Sequence, residues 1–386
     1  MSHIALVIPG LDRIAGAERQ MILLAHGLHL RGWRVSVLAL SGSGSSTAAE
    51  LSAAGISFLS LHMRKGLADP RGWIRFHHWL RSERPEIVHA HLPHAAWFAR
   101  WSRLAAPVRV LVDTIHSSST GTLGRKLGYR FSNWLPDKVT AVSHAAAETH
   151  LAARMVSKEK LLVLPNGVDI ELWRPDAAVR NAVRRRLGLD NKFLWFAAGR
   201  LEPVKDYPTL LRAMVDLPQP ARLVIAGAGP EENDLRRLTH ELGLESRVQF
   251  LGFEPDVRTW MQAADAFVQS SLWEGLPMGL LEAAACALPA VATAVAGTSE
   301  ALIDGQTGFL ARPGSALALS AAMLRMMRIP PEDRRAIGER ARQHTADHFS
   351  IDAVLDRWEA FYVDMLHRNL TPSRCSPSKN ITSCFN

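Results

Sequence analysis

The stretch Ser271-Leu-Trp-Glu-Gly-Leu-Pro-Met-Gly-Leu-Leu-Glu282, continuing into Ala283-Ala-Ala-Cys286, decides the fold. It starts where the apolar run Ala266-Phe-Val-Gln-Ser270 stops, and such a run reads as the end of a buried strand. Its alanine-rich end reads as a helix. Between them Gly275, Pro277 and Gly279 force a tight turn, with Pro277 expected at the first helical position, where a missing N–H is no loss. The amides of Met278, Gly279, Leu280 and Leu281 would then point into the crevice at the sheet's carboxyl edge. A helix N-terminus there is a ready site for phosphate or sugar oxygens. Glu274 precedes the turn and Glu282 follows it by about two helical turns, so one can reach a ligand's head and the other its tail. Taken alone, Glu282 reads more readily as a residue that caps or solvates the helix.

The same alternation extends in both directions. Phe193-Leu-Trp-Phe-Ala-Ala198 reads as a strand leading into Gly199-Arg200-Leu-Glu-Pro-Val-Lys205-Asp206. Arg200 brings a planar guanidinium fork and Lys205 a compact charge. From a strand-to-helix loop both can neutralise a diphosphate leaving group; the plainer reading is a surface salt bridge. Val224-Ile-Ala-Gly-Ala-Gly-Pro230 is a further glycine turn, and strands are also expected at 247–251, 265–270 and 289–293. Glu300, in Gly297-Thr-Ser-Glu300, reads as either a site residue or a structural one.

Toward the N-terminus, strands are expected at 3–9, 33–40, 56–61, 86–91, 108–115, 138–142 and 161–164, alternating with helical segments. That periodicity implies a mostly parallel, doubly wound sheet. Gly16-Ala17 opens the first helix without the full Gly-x-Gly-x-x-Gly fingerprint, which argues against a nicotinamide enzyme. Asp113-Thr-Ile-His-Ser117 ends the fifth strand and puts His116 at the sheet's mouth. His89 and His91 read as core or supporting residues, and Ser143 as a helix N-cap. The domain division expected is 1–170 for a first Rossmann-like domain and 171–190 for a linker. A second such domain follows at 191–349, then a helix at 350–366 crossing back to the first and a disordered tail at 367–386.

Composition narrows the function. A chain of 386 residues suits two or three domains. The net charge of +8 is uneven: residues 1–160 carry 20 Lys/Arg against 10 Asp/Glu, and the remainder 25 against 27. The basic first half suggests an anionic partner, a phosphate-bearing lipid or membrane surface. Nothing resembles a nucleic-acid-binding motif, so no nucleic acid is expected. Two stretches set cations beside aromatics: 93–104, with Trp97, Arg100, Trp101 and Arg103, and 124–135, with Arg125, Lys126, Tyr129, Arg130, Phe131 and Trp134. Interfacial helices need that combination; alternatively the rings face the core and the cations face water. No apolar run is long enough to span a bilayer, no export signal opens the chain, and Cys286, Cys375 and Cys384 form no disulfide framework. A cytoplasmic protein, with contact at the inner face of the membrane, is the expectation.

In their order and spacing these motifs, with Gly16-Ala-Glu18, Ile87-Val-His-Ala-His91, Ala141-Val-Ser143, Pro165-Asn-Gly-Val-Asp169 and Asp304-Gly-Gln-Thr-Gly308, resemble the retaining glycosyltransferase family 4 over roughly residues 3 to 366. The resemblance implies the GT-B architecture, two Rossmann-like domains facing a central cleft. It also implies a metal-independent hexosyl transfer from a nucleoside-diphosphate sugar, most commonly a UDP-sugar, to a saccharide or lipid-linked acceptor. The setting would be envelope polysaccharide, lipopolysaccharide or glycolipid synthesis. His116, Glu274, Arg200 and Lys205 are the implied catalytic residues. Gly16, Arg200, Lys205, Glu274, Met278, Gly279, Leu280, Leu281 and Glu282 are the implied donor contacts. His116 would face the donor sugar, and Gly16, with Ala17 in place of a second glycine, would let backbone approach the donor phosphate. No cofactor is implied, and the sequence contains no Asp-x-Asp to hold a cation on a diphosphate. Two other readings use the same fold: a nucleotide-sugar epimerase, and a non-catalytic basic membrane- or nucleic-acid-binding protein.

Overall fold

The computed structural model describes residues 1–12, 14, 16–64, 69–106, 108–189 and 192–368. Seven strands form a first sheet: β1 (His3–Ile8), β2 (Arg34–Ala39), β3 (Ser57–Ser60), β4 (Ile87–His91), β5 (Val110–Ile115), β6 (Lys138–Ala141) and β7 (Leu161–Val163). They run parallel in the order β3-β2-β1-β4-β5-β6-β7. A second parallel sheet holds β8 (Phe193–Ala198), β9 (Ala221–Ala226), β10 (Val248–Gly252), β11 (Ala266–Gln269), β12 (Ala290–Thr293) and β13 (Gly308–Ala311), in the order β10-β9-β8-β11-β12-β13. Helices cover both faces of such sheets, so central strands must be apolar on both sides. Ile4 to Ile8 and Leu194 to Phe196 are accordingly buried without a break. The strand β13 is an addition to the sequence reading; four residues are too few to show a period.

Strand order reverses between β1 and β4 in the first sheet and between β8 and β11 in the second. Loops leaving neighbouring strands diverge at such points and open a crevice at the carboxyl edge. The motifs singled out in the sequence follow β8 and β11.

The chain passes twice between the sheets, side by side. Val168 N–H donates to Phe349 O (2.8 Å) and Ile351 N–H to Val168 O (2.9 Å). The closing helix Ile351–Arg368 lies against helix Gly16–Leu30, burying Trp358, Phe361, Tyr362 and Met365 with Leu28 and Trp33 in the first sheet's core. Gly27 makes that approach possible: a Cβ there would stand 2.3 Å from a Leu355 methyl. Arg31 pairs with Asp356 and Glu359, and Trp33 Nε1 donates to Glu359. The segment 369–386, read in sequence as most of a disordered tail, lies outside the described residues. So do Asp190 and Asn191 of the expected restart. Residues 367 and 368 belong to the helix.

Three local readings are corrected. Arg100 is not an interfacial cation: it is fully buried, its Nε 2.6 Å from Asp113, its Nη1 2.8 Å from Ser132 Oγ and its guanidinium over Tyr129. Arg103 is likewise taken up by Asp137 (2.7 Å) and Leu135 O (2.7 Å). Both sit where helices Pro93–Ser102 and Leu123–Ser132 meet, so they join the two rather than face outward. The Gly- and Ser-rich stretch Ser41-Gly-Ser-Gly-Ser-Ser46, which reads in sequence as a flexible connection, is shorter as a loop, because helix Ser45–Ala53 has already begun.

Candidate active site

The turn after β11 is fixed from several sides. Leu272 N–H donates to Val204 O (2.8 Å), Ser270 Oγ to Lys205 O (2.7 Å) and Thr293 Oγ1 to Ser271 O. These bonds bind the short helix Pro203–Lys205 to the turn carrying Glu274. Lys205 Nζ then lies 2.6 Å from Glu274 Oε1, which also accepts from Ser271 Oγ at 2.6 Å. The pair is mostly shielded from water. Lys205's stem runs over Gly199, its Cε 3.5 Å from where a Cβ would stand, an ordinary packing contact.

Backbone packs on backbone around this pair. A Cβ at Gly275 would lie 2.8 Å from the carbonyl oxygen of His116, and one at Gly297 only 1.8 Å from that of Gly275. Ser118 Oγ donates to Glu274 O (2.7 Å). The loop after β5 and the turn after β11 therefore touch, and His116 stands beside the Glu274 turn. Glycine is required here for closeness; its φ freedom is not in play.

Helix Met278–Ala285 starts one residue later than the sequence suggests, with Pro277 in the capping position. Pro277's carbonyl takes the amides of Leu280 (3.0 Å) and Leu281 (3.3 Å), and both side chains are buried. This withdraws Leu280 and Leu281 from the donor contacts expected of the turn. The amides of Met278 and Gly279 remain, with Gly279 close over the end of β8, where its Cβ would be 3.8 Å from Ala198 O.

Glu282 is buried, and Arg19 of helix Gly16–Leu30 reaches it from the other half of the molecule (Nη1 to Oε1, 3.3 Å). Burial pushes its carboxyl up to about 7, against the opposing pull of Arg19. Both line a cavity of about 270 Å³ bounded also by Gln20, Asp169, Arg258 and Met278. Arg19 was not singled out in the sequence; its only signal there is adjacency to Gly16-Ala-Glu18. Gly16 heads the helix with open space where a side chain would be. Arg200 is exposed and pairs with Glu202 at 2.8 Å.

Behind His116 lies a row of buried rings. His116 Nε2 and His91 Nδ1 are 3.0 Å apart, the His91 and His89 rings are 4.0 Å apart, and His89 bonds both Tyr362 Oη (2.7 Å) and Thr114 Oγ1 (2.6 Å). Burial lowers the pKa of all three, that of His116 to about 4, so each is neutral at pH 7. Glu300 proves structural: its carboxylate accepts from His144 N–H (2.9 Å) and Ala145 N–H (3.0 Å), capping helix His144–Ala152 from the opposite half. Ser143 caps the same helix from within, bonding Ala146 N–H.

Two parallel, doubly wound sheets whose switch points face each other across one cleft define the GT-B class. Sequence comparison assigns the family within it. The Glycosyltransferase Family 4 description matches residues 14–172, and that of Glycosyl transferases group 1 matches residues 179–344. The D-inositol 3-phosphate glycosyltransferase of Mycolicibacterium paratuberculosis is 30% identical over 310 residues, 75% of this chain and 69% of that one. The UDP-Gal:alpha-D-GlcNAc-diphosphoundecaprenol alpha-1,3-galactosyltransferase of Escherichia coli is 27% identical over 78% of this chain and 81% of its own. Anabaena HepE, solved with UDP and glucose, superimposes with a TM-score of 0.84 over 94% of this chain and all of its own, at 22% identity. The chain belongs to the family 4, group 1 glycosyltransferases and is a retaining glycosyltransferase. The relatives bear the names of transferases, which leaves the epimerase and the non-catalytic binder without support.

Proposed function

We propose that the enzyme moves a sugar from a nucleoside diphosphate, a uridine diphosphate first among them, to a saccharide or lipid-linked acceptor of envelope polysaccharide or glycolipid synthesis. The second sheet's half holds the donor and the first half the acceptor. The Lys205–Glu274 pair carries this reading: a shielded charge pair at the switch point of the second sheet, against the backbone of the His116 loop.

Donor diphosphate displaces Glu274 from Lys205 and draws in Arg200, while the Met278 and Gly279 amides bond the remaining oxygens. Glu274, freed, accepts from sugar hydroxyls, and ionised Glu282 accepts from the ribose. The bond from the anomeric carbon to the diphosphate breaks as the acceptor oxygen bonds that carbon on the same face. The acceptor's proton passes to the departing phosphate oxygen. Positive charge builds on the sugar ring and negative charge on the leaving group; Arg200 and Lys205 stabilise the latter. His116, neutral, bonds the sugar beside the reacting carbon. These cations and amides supply the charge compensation that a metal would give, so transfer proceeds without one. The two relatives' names speak of a diphosphoundecaprenol-linked and an inositol phosphate acceptor. A lipid-linked acceptor of that kind is met at the inner face of the cytoplasmic membrane; no described helix is long and apolar enough to cross it.

The test is the thermal midpoint against a panel of nucleotide sugars with EDTA present. A ligand of the folded state raises it by about RT ln(1 + [L]/Kd). A rise with one sugar nucleotide, lost in Arg200→Ala, supports the reading; a rise that EDTA abolishes overturns the metal-free part, and none with any donor overturns the whole.

A further inference from the structure

Helix Leu123–Ser132 and its neighbour Pro93–Ser102 leave an apolar face uncovered. Leu123 (72% exposed), Leu127 (43%) and Phe131 (70%) recur every four residues along one side, and Trp134 (64%) extends the row past the helix end. Trp101 (37%) and Leu104 (57%) stand on the adjoining segment. The two helices are in direct contact: Trp97 occupies the space a side chain at Gly128 would need, and Trp97 and Trp101 meet edge to face. The six side chains thus stand on two packed helices and the segments that leave them. Large exposed hydrophobics gathered in this way mark an interaction site rather than ordinary surface scatter.

The charges on the helix that carries the apolar row are of one sign. From Thr114 to Pro136 there is no Asp or Glu, while Arg125, Lys126 and Arg130 share the helix with the apolar row. Of the acids just outside that stretch, Asp113 is buried against Arg100 and Asp137 is paired with Arg103. A second copy docking by the same face would bring the cations of both copies together. An anionic bilayer meets both halves of the pattern, with hydrocarbon for the leucines, headgroup-level contact for Phe131 and Trp134, and phosphate for the cations. The surface also adjoins the cleft. Leu123 is five residues beyond Ser118, which bonds the Glu274 turn, so the two Cα atoms lie within about 18 Å.

From the basic, apolar face beside the cleft we infer that Leu123, Leu127, Phe131, Trp134, Trp101 and Leu104 seat the enzyme on an anionic membrane. A lipid-linked acceptor is thereby presented to the His116 loop, an inference that rests on the acceptor reading above.

Flotation of the full-length protein with phosphatidylglycerol or phosphatidylcholine vesicles tests it, together with the donor-induced rise in thermal midpoint. Expected is flotation with phosphatidylglycerol and much less with phosphatidylcholine. The Leu127→Ser/Phe131→Ser/Trp134→Ser variant should lose roughly a hundredfold in partitioning. Lys126→Glu/Arg130→Glu should lose binding that salt also weakens in the wild type. Both variants keep the donor-induced rise. Equal flotation of wild type and triple variant, or none by the wild type, overturns the inference while leaving the donor reading intact. A concentration-dependent dimer that the triple variant abolishes overturns it in favour of a second copy. Intact flotation without a donor response supports the surface and overturns the donor reading.

Discussion

His91 and His116 share a hydrogen bond of 3.0 Å between ring nitrogens, one on the last residue of β4 and the other just past the end of β5. Since His91 is buried, His116 half-buried, and both are neutral at pH 7, one must donate to the other, and His91 thereby sets the orientation of His116. His116→Ala should lower turnover by about a hundredfold, the usual cost of losing a placed hydrogen-bonding group. His91→Leu should lower it less and leave donor affinity unchanged. Steady-state kinetics with separate kcat and KM values check this, and equal effects on KM alone would remove His116 from the chemistry.

His116 also confers a pH dependence on stability. Burial depresses its pKa from 6.5 to about 4, so its neutral form is favoured in the folded state. That stabilisation is complete above about 6.5 and drains away as pH falls toward about 4. His116→Asn should flatten the fall of the thermal midpoint across this window.

Glu282 behaves in the opposite sense. Its carboxyl is raised from 4.5 to about 7, so its stabilising protonated form is complete below 4.5 and lost as pH rises through about 7. Donor affinity should rise over the same upper interval, because only the ionised carboxylate accepts from two hydroxyls. Arg19 pulls the pKa down, so Arg19→Ala should move the midpoint of that affinity curve upward. Calorimetric titration of the donor at several pH values reads both, and a flat profile in the wild type contradicts the assignment of Glu282 to the ribose.

Lys205→Met should cut turnover by about a hundred- to a thousandfold, as expected for a preorganised charge at a leaving group. The thermal midpoint should move much less than the activity, since Glu274 keeps its bond to Ser271. Unchanged turnover, or a collapse in stability as large as the loss of activity, counts against the role.

Arg100 and Asp113 form a fully buried pair in the first half. Asp113→Leu leaves the guanidinium buried without its carboxylate and should destabilise by about 3–5 kcal/mol. The double variant Arg100→Met/Asp113→Leu should recover most of that in denaturant unfolding. A cost for the double variant equal to the sum of the single ones would mean the pair is not a unit.

Sequence periodicity made the sheets legible because parallel strands buried on both faces are written as unbroken apolar runs, as Ile4 to Ile8 and Phe193 to Ala198 are. The donor loops were legible because glycine, proline and charge cluster at strand ends. Partners across the fold were not. Nothing in the spacing of Arg19 and Glu282, or of Glu300 and His144, says that each pair meets across the cleft. Arg100 misled for the same reason: a cation beside tryptophans looks interfacial until Asp113 is found behind it. The Leu280 and Leu281 amides were misread because the carbonyl of Pro277, at the turn itself, already accepts from both.

The helix Ile351–Arg368 is made long after β1, yet its Trp358, Phe361 and Tyr362 complete the core around that strand. At ordinary translation rates roughly ten to forty seconds separate the synthesis of Leu164 from that of Ile351. During that interval the nascent first half carries an open apolar groove along helix Gly16–Leu30. The nascent first half should therefore be prone to aggregation until that helix docks, and a chain truncated before Ile351 should aggregate in a solubility assay rather than fold as an independent first domain.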